Sequence, residues 1–382
     1  MKIETFALER WMTRWETVVR YDLAESGIKP MTVDELLTLA GRDAALERML
    51  DISLGYSEAR GTEELRALLA ALYRDVTPEE ILVTTGAIEA NFLLFNVLLN
   101  PGDHVIVVDP AYQQLQSVPK AIGCDVSLWK LRPENDFRYD LDELETLVDD
   151  HTRLIVINTP HNPTGSVLTP DEQQRVFEIA ERVGAQVMGD EAYRWLTLPG
   201  REPFAGPVRD LGERGISVGT LSKPFGLPGL RIGWIAATPE LVQACWSQRD
   251  YVSLSPGKLN DFLATLAIRQ RAAIFERTQT IAAENLATLE RWLREREDLV
   301  SWAPPRGGLL GLLRYDIDVP SMKLADRLAA DASVMLAPGS AFGYEHFLRV
   351  GIGGDPAVFR EGLGRAASVL EAARSEAGPA KN

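Results

Sequence analysis

Large apolar residues recur at spacings of three and four through Phe6, Leu8, Trp11, Met12, Trp15, Val18 and Val19, which predicts an amphipathic helix near the N-terminus. Two tryptophans in such a stretch pack against something, either the parent fold or a second subunit. From about residue 60 the pattern alternates. Helical segments at 62–73, 89–99 and 170–183 are interleaved with short β-branched runs at 81–85, 104–108, 153–158, 186–189, 215–221 and 232–237. Continuous apolar strands between helices predict a largely parallel sheet covered on both faces and built by right-handed crossovers. Residues 259–297 are nearly free of Gly and Pro, with apolar positions at helical spacing, so one long or bent helix is expected. A strand at 309–315, a helix from Ser321, a short strand at 334–336 and a final helix from Pro356 complete a smaller α+β unit.

The fold class is therefore α/β, a large domain with a mostly parallel sheet plus a smaller α+β domain. The expected division is an arm and part of the small domain over 1–45, a large domain over 46–255, a long helical connection over 256–298 and the remaining small domain over 299–382. No internal repeat interrupts this pattern.

At 382 residues the chain is about 2.5 times a domain of roughly 150 residues, consistent with two unequal domains. Hydrophobic residues at 46% and charged residues at 25% exclude disordered and collagen-like classes. A net charge of −15 with no basic patch argues against nucleic acid and anionic membranes as partners. Apolar runs fall far short of the roughly 20 residues a membrane helix needs, and no signal-peptide pattern opens the chain. A cytoplasmic protein is expected. Cys124 and Cys245 are read as reduced core thiols. The four histidines, His104, His151, His161 and His346, show no metal-ligand spacing, so no metal is expected. Neither a G-x-S-x-G elbow nor a phosphate-binding G-x-x-x-x-G-K-[ST] loop is present.

The informative residues sit at predicted strand ends, where an open α/β sheet binds ligands. The first strand runs into Gly86-Ala87-Ile88, a turn that opens a helix whose first N–H groups suit an anion. Another ends in Asn162-Pro163-Thr164-Gly165, a rigid turn that sets the direction of the Asn162 amide. A third ends in Asp190-Glu191-Ala192-Tyr193, where a buried carboxylate would want a cationic partner. A fourth ends in Thr220-Leu221-Ser222-Lys223, with Arg231 eight residues on, which combines an amine nucleophile with two hydroxyls and a guanidinium. A phosphate cup, a lysine amine and a buried carboxylate are together what pyridoxal phosphate requires.

These segments resemble the fold type I pyridoxal-phosphate enzymes, specifically the class I/II aminotransferase family, and the resemblance covers about residues 50 to 370. It implies a seven-stranded sheet and a pyridoxal 5′-phosphate cofactor held by Lys223 as a Schiff base, with Lys223 then shuttling the substrate proton. It implies that Asp190 keeps the pyridine nitrogen protonated, that Asn162 and Tyr193 donate to the phenolic oxygen, and that Tyr112 stacks on the ring. Gly86, the Ala87 and Ile88 amides, Thr220, Ser222 and Arg231 would hold the phosphate. Tyr56 would reach the phosphate of a neighbouring subunit, implying a homodimer with shared active sites. Arg349 would clamp the substrate carboxylate, with Asn162 and Gly27 on the substrate side. The implied reaction exchanges an amino group between an L-amino acid and a 2-oxo acid.

Two departures matter. Ile88 stands where many family members carry a hydroxyl. The segment around Ser26-Gly27-Ile28 lacks the common Gly-x-Pro-Asp-Phe signature. Together with Leu8-Glu9-Arg10-Trp11 and Leu131-Arg132-Pro133-Glu134-Asn135, it is similar to the capreomycidine synthase branch. Those members dehydrate and cyclise a β-hydroxyarginine, so elimination or cyclisation is the alternative reaction. A cationic side chain would want a pocket carboxylate, and Glu25 is placed for it. Transcription regulators with an aminotransferase-like domain carry a DNA-binding domain ahead of it; fewer than 50 residues precede the fold here, so that class is not expected.

Overall fold

The computed structural model describes residues 2–201 and 203–380. Its centre is a seven-stranded sheet in the order Ile81–Thr84, Gly233–Ala236, Gly215–Thr220, Gln186–Asp190, Thr152–Asn158, His104–Asp109 and Asp125–Lys130. Only Gly233–Ala236 runs against its neighbours; the other six strands point the same way. The two-residue period of a strand sends Val105 and Val107 to one face and Ile106 and Val108 to the other, and helices cover both. Six carboxyl ends and the start of the one reversed strand consequently share a single edge. That reversal is why Arg231, just ahead of Gly233, arrives beside Lys223.

Six of the seven strands coincide with the apolar runs in the sequence. Asp125–Lys130 does not, because it is an edge strand with a charged residue at each end and mostly half-exposed positions between. The long helical stretch is two helices, Lys258–Arg269 and Arg271–Arg294, broken at Gln270. Residues 263–274 pack beside the Ile81–Thr84 edge of the large sheet, whereas residues 282–293 pack on the second body of the protein. The bend lets one stretch serve both cores.

That second body is a four-stranded antiparallel sheet, Ala337–Pro338, Phe347–Gly351, Leu310–Tyr315 and Val300–Trp302, covered by helices Ser321–Ala332 and Pro356–Ala377. The N-terminal arm is part of it. Tyr21–Asp22 pairs in parallel with Val334–Met335, and the Leu23 carbonyl accepts from Gly351 N–H at 2.8 Å. A side chain at Gly351 or Gly353 would collide with the carbonyl oxygens of Glu25 and Gly27, so these glycines admit the arm. The helix Ala7–Trp15 buries Leu8, Trp11 and Met12 in the same core. Both indoles donate to Asp326 Oδ1, at 3.0 and 2.9 Å. The tryptophans thus pack on the parent fold.

Cys245 is buried, and burial pushes its thiol up to about 12. Cys124, just ahead of the edge strand, is half-buried and packs against the core from its margin, with its thiol pushed up to about 11 by burial.

Asp326→Ala removes the acceptor for two indole N–H groups and should cost about 2 kcal/mol of stability. Urea denaturation followed by tryptophan fluorescence reads this loss, and Asp326→Asn, which keeps an acceptor oxygen, should recover most of it.

Candidate active site

The shared sheet edge opens into a cavity of about 250 Å³ whose lining includes Asn91, Tyr112, Asn158, Asn162, Asp190, Tyr193, Thr220, Ser222, Lys223, Arg231 and Arg349. Ala87 and Ile88 line it from the first turn of helix Ala87–Leu98, which no side chain caps. Gly86 shapes the turn before them with φ of 80°, and a Cβ there would stand 2.6 Å from Arg231 Nη2. Arg231 itself takes a left-handed backbone, φ 50°. Thr220 Oγ1 and Ser222 Oγ lie 3.0 Å apart. Hydroxyls, an exposed guanidinium and an open helix N-terminus form one anion-binding corner.

Lys223 Nζ donates to Ser26 Oγ at 2.7 Å and to Glu25 Oε1 at 3.3 Å. Burial works to lower the lysine's pKa, but Glu25 and the Tyr193 hydroxyl outweigh it and the net shift is upward. Lys223 in turn holds the Glu25 carboxyl below its ordinary range. The amine is therefore protonated and paired with the arm at neutral pH.

Asp190 is 5% exposed. Its partner is an amide, not the cation its burial led us to expect: Oδ2 accepts from Asn91 Nδ2 at 3.0 Å and Oδ1 from Ala192 N–H at 3.2 Å. Burial raises its pKa, and these two hydrogen bonds and the Lys223 charge only moderate the rise. Asn91 is positioned by Gln114, whose Nε2 donates to the Ile88 carbonyl at 2.6 Å. On the other side Asn158 Nδ2 donates to the Asp190 carbonyl, and Asn158 Oδ1 accepts from Asn162 N–H, both at 2.8 Å.

Arg349 is 2% exposed, with Nη1 on Asn162 Oδ1 at 3.2 Å and Nη2 on the Ala24 carbonyl at 2.7 Å. Its Nε has no partner. Burial lowers its pKa. The Tyr193 hydroxyl is pushed up by burial. Tyr112 OH donates to Glu9 Oε1 at 3.1 Å, and its ring lies 4.9 Å from Phe6.

Most of the residues singled out from sequence thus converge on one cavity. Gly27 stands behind its wall, with its N–H on Glu25 Oε1 at 2.7 Å. Tyr56 lies outside, 84% exposed in a separate cleft with Lys258 and Asp261. Asn91, Gln114, Asn158 and Ser26 were not anticipated. Asn158 closes its strand and Asn91 sits one turn beyond Ala87, so the strand-end rule and the helix period could have found both.

Asn91→Leu should cost about 2 kcal/mol, the value of a hydrogen bond to a buried charge. Unfolded Asp190 ionises in the ordinary carboxylate range and folded Asp190 higher, so folding penalises the charged form. The loss should be fully present where folded Asp190 is ionised and shrink as pH falls through its raised folded-state pKa, above the ordinary carboxylate range, as read by urea denaturation at several pH values.

A family model described as aminotransferase class I and II matches residues 34–365. Capreomycidine synthase of Streptomyces vinaceus is 33% identical over 344 residues, covering 90% of this chain and 88% of that protein. The crystal structure of a PLP-dependent aminotransferase from Streptococcus suis superposes with a TM-score of 0.93 at 34% identity, covering 98% of this chain and 99% of that one. That of the PLP-dependent cyclase OrfR gives 0.89 at 32% identity, covering 97% and 98%. With a family model spanning most of its length and a relative one-third identical along nine-tenths of it, the chain belongs to the class I and II aminotransferase family.

Proposed function

We propose that this chain moves an amino group between an L-amino acid and a 2-oxo acid, with pyridoxal 5′-phosphate as its cofactor. The observation that carries this reading is the meeting of Lys223 Nζ, the buried Asp190 carboxylate and the buried Arg349 guanidinium on one cavity. The donor set fits the cofactor. Arg231, Ser222, Thr220 and the Ala87 and Ile88 N–H groups suit a phosphate ester at one end, with Gly86 leaving room for the guanidinium. Tyr112 offers a ring face.

Bound there, pyridoxal phosphate supplies an electron sink for the pair left on the substrate's α-carbon. The chain does the rest. Lys223 anchors the cofactor through Nζ, then takes the α-proton and returns it. Asp190 holds a proton on the ring nitrogen; Asn91 and the Ala192 N–H keep its carboxylate oriented. Asn162 spends its amide oxygen on Arg349, which leaves its NH₂ to donate, with Tyr193, to the phenolic oxygen. The free Arg349 Nε is a donor for the substrate carboxylate. Gly27 leaves room for the carboxylate paired with Lys223, since a Cβ there would stand 3.1 Å from Glu25 Oε1. The arm over 1–45 and residues 299–382 act as the small domain, joined by 256–298 to a cofactor domain over 46–255.

A second reading, elimination or cyclisation of an amino acid with a β leaving group, is favoured by one observation: Glu25 Oε1 lies 3.3 Å from Lys223 Nζ. A carboxylate beside the catalytic amine offers a second proton carrier, which a leaving group needs and amino transfer does not. The capreomycidine synthase and OrfR likenesses support the same reading.

We further propose a homodimer. Leu50, Leu54, Tyr56, Tyr251, Val252 and Leu254 are exposed apolar side chains on two segments joined by the Tyr56–Gly257 bridge, a surface suited to a second copy. Tyr56 would act across it on the partner's phosphate site.

With an amino acid panel offered with and without a 2-oxo acid, product formation should require the 2-oxo acid; turnover without one would replace this reading with the elimination or cyclisation reaction. Light scattering should give twice the chain mass. Tyr56→Phe should keep that mass while weakening cofactor binding about ten-fold, read by equilibrium dialysis.

A further inference from the structure

Lys223 and the arm belong to different bodies, and the arm is shaped around the lysine's amine. Asp22 pairs with Met335 of the second body, and its Oδ1 accepts from the Ala24 and Glu25 N–H groups at 2.8 and 3.0 Å. An aspartate side chain bonded to the backbone just ahead of it fixes a tight turn. Arg349 Nη2 holds the Ala24 carbonyl at 2.7 Å, and Glu25 Oε1 accepts from Gly27 N–H at the same distance. The turn so pinned presents Ser26 Oγ to Lys223 Nζ at 2.7 Å and Glu25 Oε1 at 3.3 Å. Ser26 is hydrogen-bonded to the Tyr193 hydroxyl as well.

Four charged or titratable groups act on this amine. Glu25 reaches it from the arm, Asp190 and Tyr193 from the end of the strand Gln186–Asp190, and Arg349 from the strand Phe347–Gly351. Burial and Arg349 disfavour the ammonium, whereas Glu25 and Tyr193 favour it and prevail. The contact thus ties a carboxylate and a hydroxyl to the one amine on the cavity whose task is nucleophilic, and a nucleophile needs its lone pair.

We propose that Glu25 and Ser26 form a resting seat for the free Lys223 amine, an autoinhibitory contact through which the arm slows covalent capture of the cofactor. The proposal rests on the reading of Lys223 as the cofactor's anchor. Capture joins Nζ to the aldehyde carbon of pyridoxal phosphate. The ammonium first gives one proton to solvent, the lone pair so exposed attacks the carbon, and the two remaining protons leave with the aldehyde oxygen as water. Whatever stabilises the ammonium therefore lowers the fraction of chains able to react. The seat belongs to the second body and the lysine to the first, so an arrangement that draws the arm away releases the amine, and the opened site loads cofactor more readily than the closed one. Glu25 and Ser26 act through Lys223 and are positioning residues.

The test uses the full chain freed of cofactor and two readouts. Trace acetylation with acetic anhydride, followed by peptide mass mapping, reports how reactive the Lys223 amine is with no cofactor present; stopped-flow absorbance on mixing with pyridoxal phosphate reports capture. At pH 7, Glu25→Gln, which keeps an acceptor for Gly27 N–H, should quicken both reactions of Lys223 about ten-fold, the effect of removing one adjacent charge, and leave the surface lysines unchanged. Ser26→Ala, which leaves the Glu25 turn in place, should quicken both about three-fold. The gain should hold steady while both proteins carry the ammonium. It should shrink above the lysine pKa of the variant, where the variant's rate levels off and the wild-type rate still climbs. Lys223 labelled equally in wild type and Glu25→Gln, or capture unchanged or slowed by that substitution, would overturn the proposal. Failure of every protein to take up pyridoxal phosphate at Lys223 sinks the proposed function instead, and the labelling still judges the seat.

Discussion

Two buried charges that do not touch, Asp190 and Arg349, impose the constraint around which this site is built. An ionised group taken out of water costs several kcal/mol unless hydrogen bonds replace its hydration. The chain meets that cost with amides. Gln114 reaches the Ile88 carbonyl and receives Asn91; Asn91 donates to Asp190; Asn158 joins the Asp190 carbonyl to Asn162; Asn162 accepts from Arg349, which ends on the Ala24 carbonyl. One continuous line of hydrogen bonds runs from the anion-binding corner to the buried arginine. Neutral links hold the two charges apart at a set spacing, whereas a direct ion pair would have cancelled both. Two positions on the line are open, Asn91 Oδ1 and Arg349 Nε, and both residues line the cavity.

The second constraint is topological. One sheet edge collects the strand ends that carry Asn158, Asp190 and Thr220, and the reversed strand Gly233–Ala236 returns Arg231 to that edge. Arg349 cannot come from there. It stands on the strand Phe347–Gly351 of the second body, and the arm threads between the two sheets to supply Glu25 and Ser26 to Lys223. Gly351 and Gly353 leave the space for this passage. The cavity is therefore a junction of the two bodies, and any relative movement between them changes the distance from Lys223 to Arg349 and with it the fit of a substrate.

What was readable in the sequence follows from this division. Lys223, Asp190 and Asn162 were legible because each sits at or just past the end of an apolar run, beside glycine or proline, where local signals mark a turn on the ligand-binding edge, and Arg231 because it follows Lys223 by eight residues, just ahead of the next apolar run. Arg349 and Tyr112 were reached through family likeness. The edge strand Asp125–Lys130 escaped because its half-exposed face mixes charged and apolar positions. A buried amide inside a helix leaves no trace in hydrophobic periodicity, which hides Gln114 altogether and leaves Asn91 legible only by its place one turn beyond Ala87; the expected partner of Asp190 was therefore a cation. Glu9 and Glu16 reach the cavity lining only through the tertiary placement of the arm helix.

The central claim is that Lys223, opposite a carboxylate kept in place by Asn91, is the covalent anchor of pyridoxal phosphate. The most direct test is borohydride reduction of the protein after incubation with pyridoxal phosphate, followed by peptide mass mapping. The account predicts one phosphopyridoxyl group per chain, on the peptide containing Lys223 and absent from Lys223→Ala. Modification spread over other lysines, or persisting in Lys223→Ala, would contradict it.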